Sequence, residues 1–135
     1  MKKRIVISKK PIKPEEVLRS VANTRSGCAV FFIGTVRSES RGTRVSRMCV
    51  EAAEDLAKAD LARICDQAKH RFDVNDVAVM HRVGNLKKGD IIVAIGVGAA
   101  HREDAFAACR FMIDELKKTT PIWKKEIGPS RERWV

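Results

Sequence analysis

The chain has no tyrosine, and its aromatic residues amount to five Phe and two Trp in 135 positions. A core built from it must rest on Val, Ile, Leu and Ala. No apolar run comes near the roughly 20 residues that a membrane-spanning helix needs, so no membrane association is expected. The N-terminus is basic, but only Ile5 to Ser8 follow as apolar or small residues. That is too short for the core of a signal peptide, and a cytoplasmic address is expected. Cys28, Cys49, Cys65 and Cys109 form no C-x-x-C pair and have no histidine at ligand spacing. A zinc site is disfavoured on that pattern, and buried free thiols are expected. The G-x-x-x-x-G-K-[ST], G-x-G-x-x-G, H-E-x-x-H and G-x-S-x-G signatures are all missing. Nucleotide-triphosphate hydrolysis, dinucleotide redox chemistry and serine hydrolysis therefore lose support, and no cofactor or metal is expected. Without internal repeats, low-complexity tracts or linkers, residues 1–135 are expected to form one domain.

What the chain does carry is positive charge, 27 Lys and Arg against 17 Asp and Glu, a formal +10. That predicts an anionic partner: nucleic acid, a phosphorylated small molecule or an acidic protein surface. Nucleic acid is disfavoured, because the basic residues do not gather on one helix and no aromatic-basic interleaving of the RNA-binding type occurs.

Taken in order, Lys3 to Ser8 reads as an edge strand whose lysines discourage further pairing. Pro14-Glu15-Glu16 opens a short helix with Val17, Leu18, Val21 and Ala22 on its apolar face. Cys28 to Val36 is a continuous apolar run, read as a central strand, with Gly34 marking a bulge or a close backbone approach. Ser38 to Arg44 is polar and reads as a loop, mobile when nothing is bound. Val45 to Val50 is a third strand. Glu51 to Phe72 is a long helix with Leu61, Ile64, Cys65, Ala68 and Phe72 inward, and with Asp60, Arg63, Asp66, Lys69 and His70 as a solvated surface. Asp76 to Arg82 and the run Ile91 to Val97 are strands expected to pair across the turn at Leu86–Asp90. This order predicts an α+β domain with a mixed or antiparallel sheet and flanking helices.

The chemistry concentrates between Gly98 and Trp134. Ala105, Cys109, Met112, Ile113 and Leu116 recur on one face of a helix. Glu103 and Asp104 fall in its first turn, Lys117 and Lys118 in its last, an order that suits the helix dipole. His101 and Arg102 thus stand where a strand ends and a helix begins, with free backbone N–H groups and two donor side chains able to meet an anion. Pro121 stops the helix, and Trp123-Lys124-Lys125 is expected to leave it as an irregular segment. Arg37, at the end of the second strand, completes the cationic set. Arginine forks bind phosphate bidentately, and a histidine beside them can donate or shuttle a proton. Lys117, Lys118, Lys124 and Lys125 form a like-charge cluster of the kind that lowers a lysine pKa and makes it a base or acyl acceptor. Each of these residues also has an ordinary explanation as a solvated strand-end or helix-end charge. The residues alone leave both open.

Phe32-Ile-Gly-Thr-Val-Arg37, His81-Arg-Val-Gly-Asn-Leu86, Gly89-Asp90, Ala100-His-Arg102, Leu116-Lys117, Pro121-Ile-Trp-Lys124 and Arg133-Trp-Val135 occur in this order and spacing. With them the sequence, from Gly27 to Val135, resembles the large, catalytic subunits of molybdopterin synthase. The resemblance implies an α/β hammerhead-type fold and a homodimer. Each protomer would bind one small ubiquitin-like sulfur-carrier subunit, giving a heterotetramer. It implies sulfur transfer from the carrier's C-terminal thiocarboxylate to cyclic pyranopterin monophosphate (precursor Z), in two rounds, giving the molybdopterin dithiolene. Lys117 and Lys124 would be the catalytic lysines. Arg37, His101 and Arg102 would hold the pterin phosphate and nearby anionic groups, and Phe32 would shape the pocket. Retention of all five cationic residues argues against an inactive scaffold of the same fold. One departure stands out: Glu51-Ala-Ala-Glu-Asp-Leu56 lacks the aromatic, Tyr-containing sequence that the family commonly carries there.

Overall fold

A computed structural model describes residues 2–135. The elements are β1 (Lys2–Ser8), α1 (Pro14–Val21), β2 (Cys28–Thr35), β3 (Glu39–Ser40), β4 (Thr43–Arg44), β5 (Arg47–Ala52) and α2 (Glu54–Arg71). They continue with β6 (Asp76–Arg82), β7 (Gly84–Lys87), β8 (Ile91–Ala99), α3 (Arg102–Thr119), β9 (Ile122–Ile127) and β10 (Glu132–Trp134). The strands β6 and β8 are buried along nearly their whole length. They pair antiparallel at the centre of a four-stranded sheet of order β1-β6-β8-β2. β1 joins β6 in parallel and β2 joins β8 antiparallel, so the sheet is mixed, as expected. A second sheet of order β10-β9-β5-β7 is antiparallel throughout.

Alternation along the strands decides which face meets which helix. Val77, Val79, Ile95 and Val97 face α2 and α3, meeting Leu61, Ile64, Ala105, Met112 and Leu116. Ala78, Met80 and Ala94 face the other way and are covered by Val17 and Val21 of α1. A separate apolar cluster around Met48, Val50, Leu86 and Ile92 ties the second sheet to the end of the first. All four cysteines are free thiols, with Cys65 and Cys109 buried and Cys28 and Cys49 half-buried. No helix among the described residues is long and apolar enough to cross a membrane.

Five expectations change. β2 is an edge strand and not a central one, since among the described residues it pairs only with β8. Its apolar run covers both faces, but only Cys28, Val30 and Phe32 pack on the α2–α3 core, whereas Phe31 and Ile33 are each 38% exposed. The bulge is where expected, with a register shift between Gly34 and Thr35. The segment after Pro121 is strand β9, because Ile122 to Ile127 ladders against β5. Ser38 to Arg44 is a small hairpin. Arg41 (φ 51°) and Gly42 (φ 77°) make the left-handed two-residue turn that such a connection needs. Asp60 is not a solvated surface acid, being hydrogen-bonded to the far end of α3. The connection between β6 and β8 also carries β7, which leaves the first sheet to pair with β5. The turn itself stands at Lys87–Asp90, with Gly89 at φ 86° and the Asp90 carboxylate accepting from Lys87 N at 2.8 Å.

His81, on the α2–α3 face of β6, is fully buried. Its Nδ1 lies 2.8 Å from the carbonyl oxygen of Arg82, which must accept, so Nδ1 carries the proton and Nε2 is the bare nitrogen. Nε2 has no partner among the described residues. Burial, reinforced by the Lys124 ammonium, lowers its pKa to about 4. The folded chain therefore refuses a proton that the unfolded chain takes up near the ordinary histidine value of 6.5. Stability contributed by neutral His81 is fully present above pH 6.5 and is lost as pH falls towards 4, by up to about 3 kcal/mol. We expect Tm to fall across that window in the wild type and to stay nearly level in a His81→Leu variant. An unchanged slope in the variant would mean that another group titrates there.

Candidate functional site

Where the two sheets meet the C-terminal end of α3, the chain leaves an open cavity of about 490 Å³. Phe32, Gly34 and Thr35 reach it from the bulged end of β2, and Arg37 from just beyond. Ile92 and Val93 of β8 and Met48 of β5 supply apolar wall. Leu116, Lys117 and Thr120 come from the end of α3, and Ile122, Lys124 and Glu126 from β9. A Cβ at Gly34 would stand 2.9 Å from Val93 Cγ1 and 3.2 Å from the Phe32 ring, so this glycine keeps the floor open.

Period-two alternation on β9 aims Ile122, Lys124 and Glu126 into the cavity. Lys124 sits opposite Val50 and Glu126 opposite Met48, so the polar ends share a face with the second sheet's apolar cluster. Burial, and secondarily the Lys117 charge, lowers the pKa of Lys124. Of the four-lysine cluster only these two line the cavity. Lys118 pairs with Glu115 at 3.6 Å, and Lys125 pairs with Glu132 at 2.7 Å while lying 5.4 Å from the Trp134 ring centre.

Glu126 is only 4% exposed. Burial would raise its pKa, but hydrogen bonds from Ser40 and Arg133 and the charge and hydrogen bond of Arg37 outweigh it and hold the pKa below the ordinary value. Arg37 Nε lies 3.4 Å from one carboxylate oxygen and Arg133 3.3 Å from the other. The buried Ser40 hydroxyl accepts from Arg37 at 2.6 Å and from Arg133 at 2.8 Å. One buried carboxylate thus ties β9, β10, the β3–β4 hairpin and the cavity arginine together. Sequence reading missed Glu126, because an inward polar residue inverts the apolar-in pattern sought in strands. The signal was the charged alternation Lys124, Glu126 between Ile122 and Ile127.

The structure brings together Phe32, Arg37, Lys117 and Lys124. It does not bring His101 and Arg102 to them. Those two occupy the strand–helix junction as expected, His101 as N-cap and Arg102 as first residue of α3, both exposed. At about 1.5 Å per residue, however, the 18-residue helix is about 27 Å long, and Lys117 is in its last turn. Convergence of all five cationic groups does not occur within one chain. No group of three His, Cys, Asp or Glu among the described residues is arranged to hold a metal ion.

Residues 7–119 match the family model described as MoaE protein. The molybdopterin synthase catalytic subunit of Pyrococcus abyssi is 35% identical over 99% of this chain and 92% of that one. The crystal structure of molybdopterin synthase from Staphylococcus aureus superposes with a TM-score of 0.90 at 34% identity, covering 98% of this chain and 95% of that one. At 19% identity, a complex of subunits 1 and 2 of the molybdopterin-converting factor from Helicobacter pylori shares the fold, with a TM-score of 0.79 over 97% of this chain and 89% of that one. The α+β fold with its cavity, and the match along nearly the whole length, have one conclusion: this chain belongs to the MoaE family, the sulfur-transferring catalytic subunits of molybdopterin synthase.

Proposed function

We propose that the cavity receives the C-terminal thiocarboxylate tail of a small ubiquitin-like sulfur-carrier subunit and passes its sulfur to cyclic pyranopterin monophosphate (precursor Z). The observation that carries this reading is the pairing of Lys117 with the largely buried Lys124 on one wall of an open cavity that Arg37 also lines. Its volume is within the range of small-molecule sites. Moving sulfur to the pterin breaks the acyl C–S bond and forms a C–S bond at a pterin carbon, whose oxygen substituent departs, while water supplies the oxygen that leaves the tail a carboxylate. The lysines offset the negative charge of the thiocarboxylate and of the acyl oxygen as that bond breaks. Lys124, with its lowered pKa, has the larger neutral fraction expected of a group that accepts the proton of the attacking water. Arg37 faces the phosphate and Phe32 packs on the pterin.

The same reading makes the chain a homodimer through β2. The outer edge of this strand pairs with nothing among the described residues, and Phe31 and Ile33 with Pro14 and Leu18 line an apolar hollow beside it. A long apolar edge invites pairing. In a twofold dimer β2 would meet β2 antiparallel. Its first residue, Cys28, lies opposite Ala99, two positions before His101, and its last residues line the cavity. Antiparallel pairing would therefore carry the partner's His101 and Arg102 to the lysine cavity, supplying the anion-binding groups that one chain keeps apart.

Three outcomes are expected. Mixed with a thiocarboxylated carrier and precursor Z, the protein should form dithiolene product in a single turnover, detected after oxidation to its fluorescent pterin. Lys117→Ala should form none while remaining folded, and product at the wild-type rate in that variant would overturn the catalytic assignment. In a second experiment, inactive Lys117→Ala and Arg102→Ala chains are mixed and allowed to exchange. Statistical mixing gives about half heterodimers with one intact site of two, or about a quarter of wild-type activity; no recovery despite exchange would place both residues in one chain's site. Finally, removing the Lys117 charge should raise the Lys124 pKa part of the way back, because burial remains its larger cause. This can be read from the lysine side-chain carbon shifts of Lys117→Ala against pH, and an unmoved titration would show that the two amines do not sense each other.

A further inference from the structure

The two cavity lysines stand on different elements, Lys117 in the last turn of α3 and Lys124 on β9. Their separation is set by the elbow between them, Thr119-Thr120-Pro121. We propose that Asp60 of α2 is a positioning residue for this lysine pair: its carboxylate clamps the elbow and so fixes Lys117 against Lys124.

Asp60 Oδ2 accepts from the hydroxyls of both threonines, at 2.8 Å from Thr119 and 2.6 Å from Thr120. The other oxygen accepts from Arg63 Nε at 2.9 Å, and the same guanidinium donates to Thr119 Oγ1 at 2.9 Å. Arg63 is thereby fixed one helical turn beyond Asp60, and Asp60, Arg63 and Thr119 close into one ring to which Thr120 is joined through Asp60 Oδ2. Thr120 is buried and lines the cavity itself. Burial would raise the pKa of Asp60, but the bonds from Thr120, Thr119 and Arg63 lower it, which keeps the acceptor ionised at neutral pH. The elbow's backbone is held to the same helix, since Ala53 N, just before α2, donates to Pro121 O at 3.2 Å. The side-chain ring and this backbone bond grip consecutive elbow residues from one rigid body. A helix end without them frays within its last turn, and Lys117 is in that turn. A displacement of about 1 Å between reacting groups is enough to cost about a hundredfold in rate.

The clamp rests on the sulfur-transfer reading of the cavity, so its test has a readout that does not depend on turnover. Amide hydrogen exchange and single-turnover sulfur transfer, at saturating carrier and precursor Z, are compared in wild type, Asp60→Ala, Thr120→Val and Thr120→Ser. Asp60→Ala should speed exchange across residues 117–124 while leaving β6 and β8 unchanged. Its turnover should drop about tenfold or more, with carrier affinity changed less than about threefold. Thr120→Val should follow it, whereas Thr120→Ser, which keeps the hydroxyl, should stay close to wild type. If Asp60→Ala does not fold, the Thr120 pair carries the comparison. Unchanged exchange at 117–124 overturns the clamp, and faster exchange with wild-type turnover overturns its positioning role. Equal losses in Thr120→Ser and Thr120→Val would show that the hydroxyl is not what matters. A wild type that exchanges as expected but transfers no sulfur would count against the cavity's function and not against the clamp.

Discussion

Two ammonium groups sharing one partly dry cavity is the constraint that the surrounding structure answers. Burial disfavours the charge on Lys124, and Lys117 repels it, so neither would hold this placement on a flexible segment. β9 is therefore laddered to β5 over its whole length, from Ile122 opposite Ala52 to Ile127 opposite Arg47. The compensating negative charge is two residues along the same face. Glu126 is 4% exposed, whereas the Arg37 side chain is 60% exposed and that of Arg133 32%. Exposed ion pairs contribute about 0–1 kcal/mol, but a buried charge stripped of its partners costs about 3–5 kcal/mol. The knot is thus chiefly a shelter for Glu126, and its arginines are free to turn part of their charge to the cavity and to water.

Sequence pattern served well where one physical rule acts alone. The switch from the β-branched run of β8 to the 3.6-residue period of α3 placed His101, Arg102 and Lys117 on the right elements, because burial on one side decides both. The Gly34 bulge and the turn that ends at Asp90 were legible for the same reason, each being a local backbone demand. The errors fall where two demands compete. Ile122 to Ile127 puts charged residues on the inward side of a strand, so it looked irregular. β2 is apolar on both faces, and in a single chain that pattern reads as a strand with neighbours on both sides. Asp60 and Arg63 look like any charged pair on a solvated helix face, since nothing local says that the threonines about sixty positions away end opposite them. Long-range hydrogen bonds of this kind leave no periodic trace.

The cationic charge of the chain was the broadest signal and the least specific. Its useful part is not the total of +10 but the division into two groups at opposite ends of α3. Lys117 uses the C-terminal end, where the helix dipole favours a cation. His101 and Arg102 use the N-terminal end, where the first backbone N–H groups have no side-chain cap and remain available to an anion. A helix cannot bend its ends together, so a site that needs both must take one of them from another molecule. The uncovered edge and apolar face of β2 lie along that path. An edge strand whose first residue adjoins the N-terminal end of α3 and whose last residues wall the lysine cavity would, in antiparallel self-pairing, have a simple symmetry that joins the two. The position of β2 at the edge, where sequence pattern erred, is thus the feature through which the proposed dimer would bring one half of the cationic set to the other.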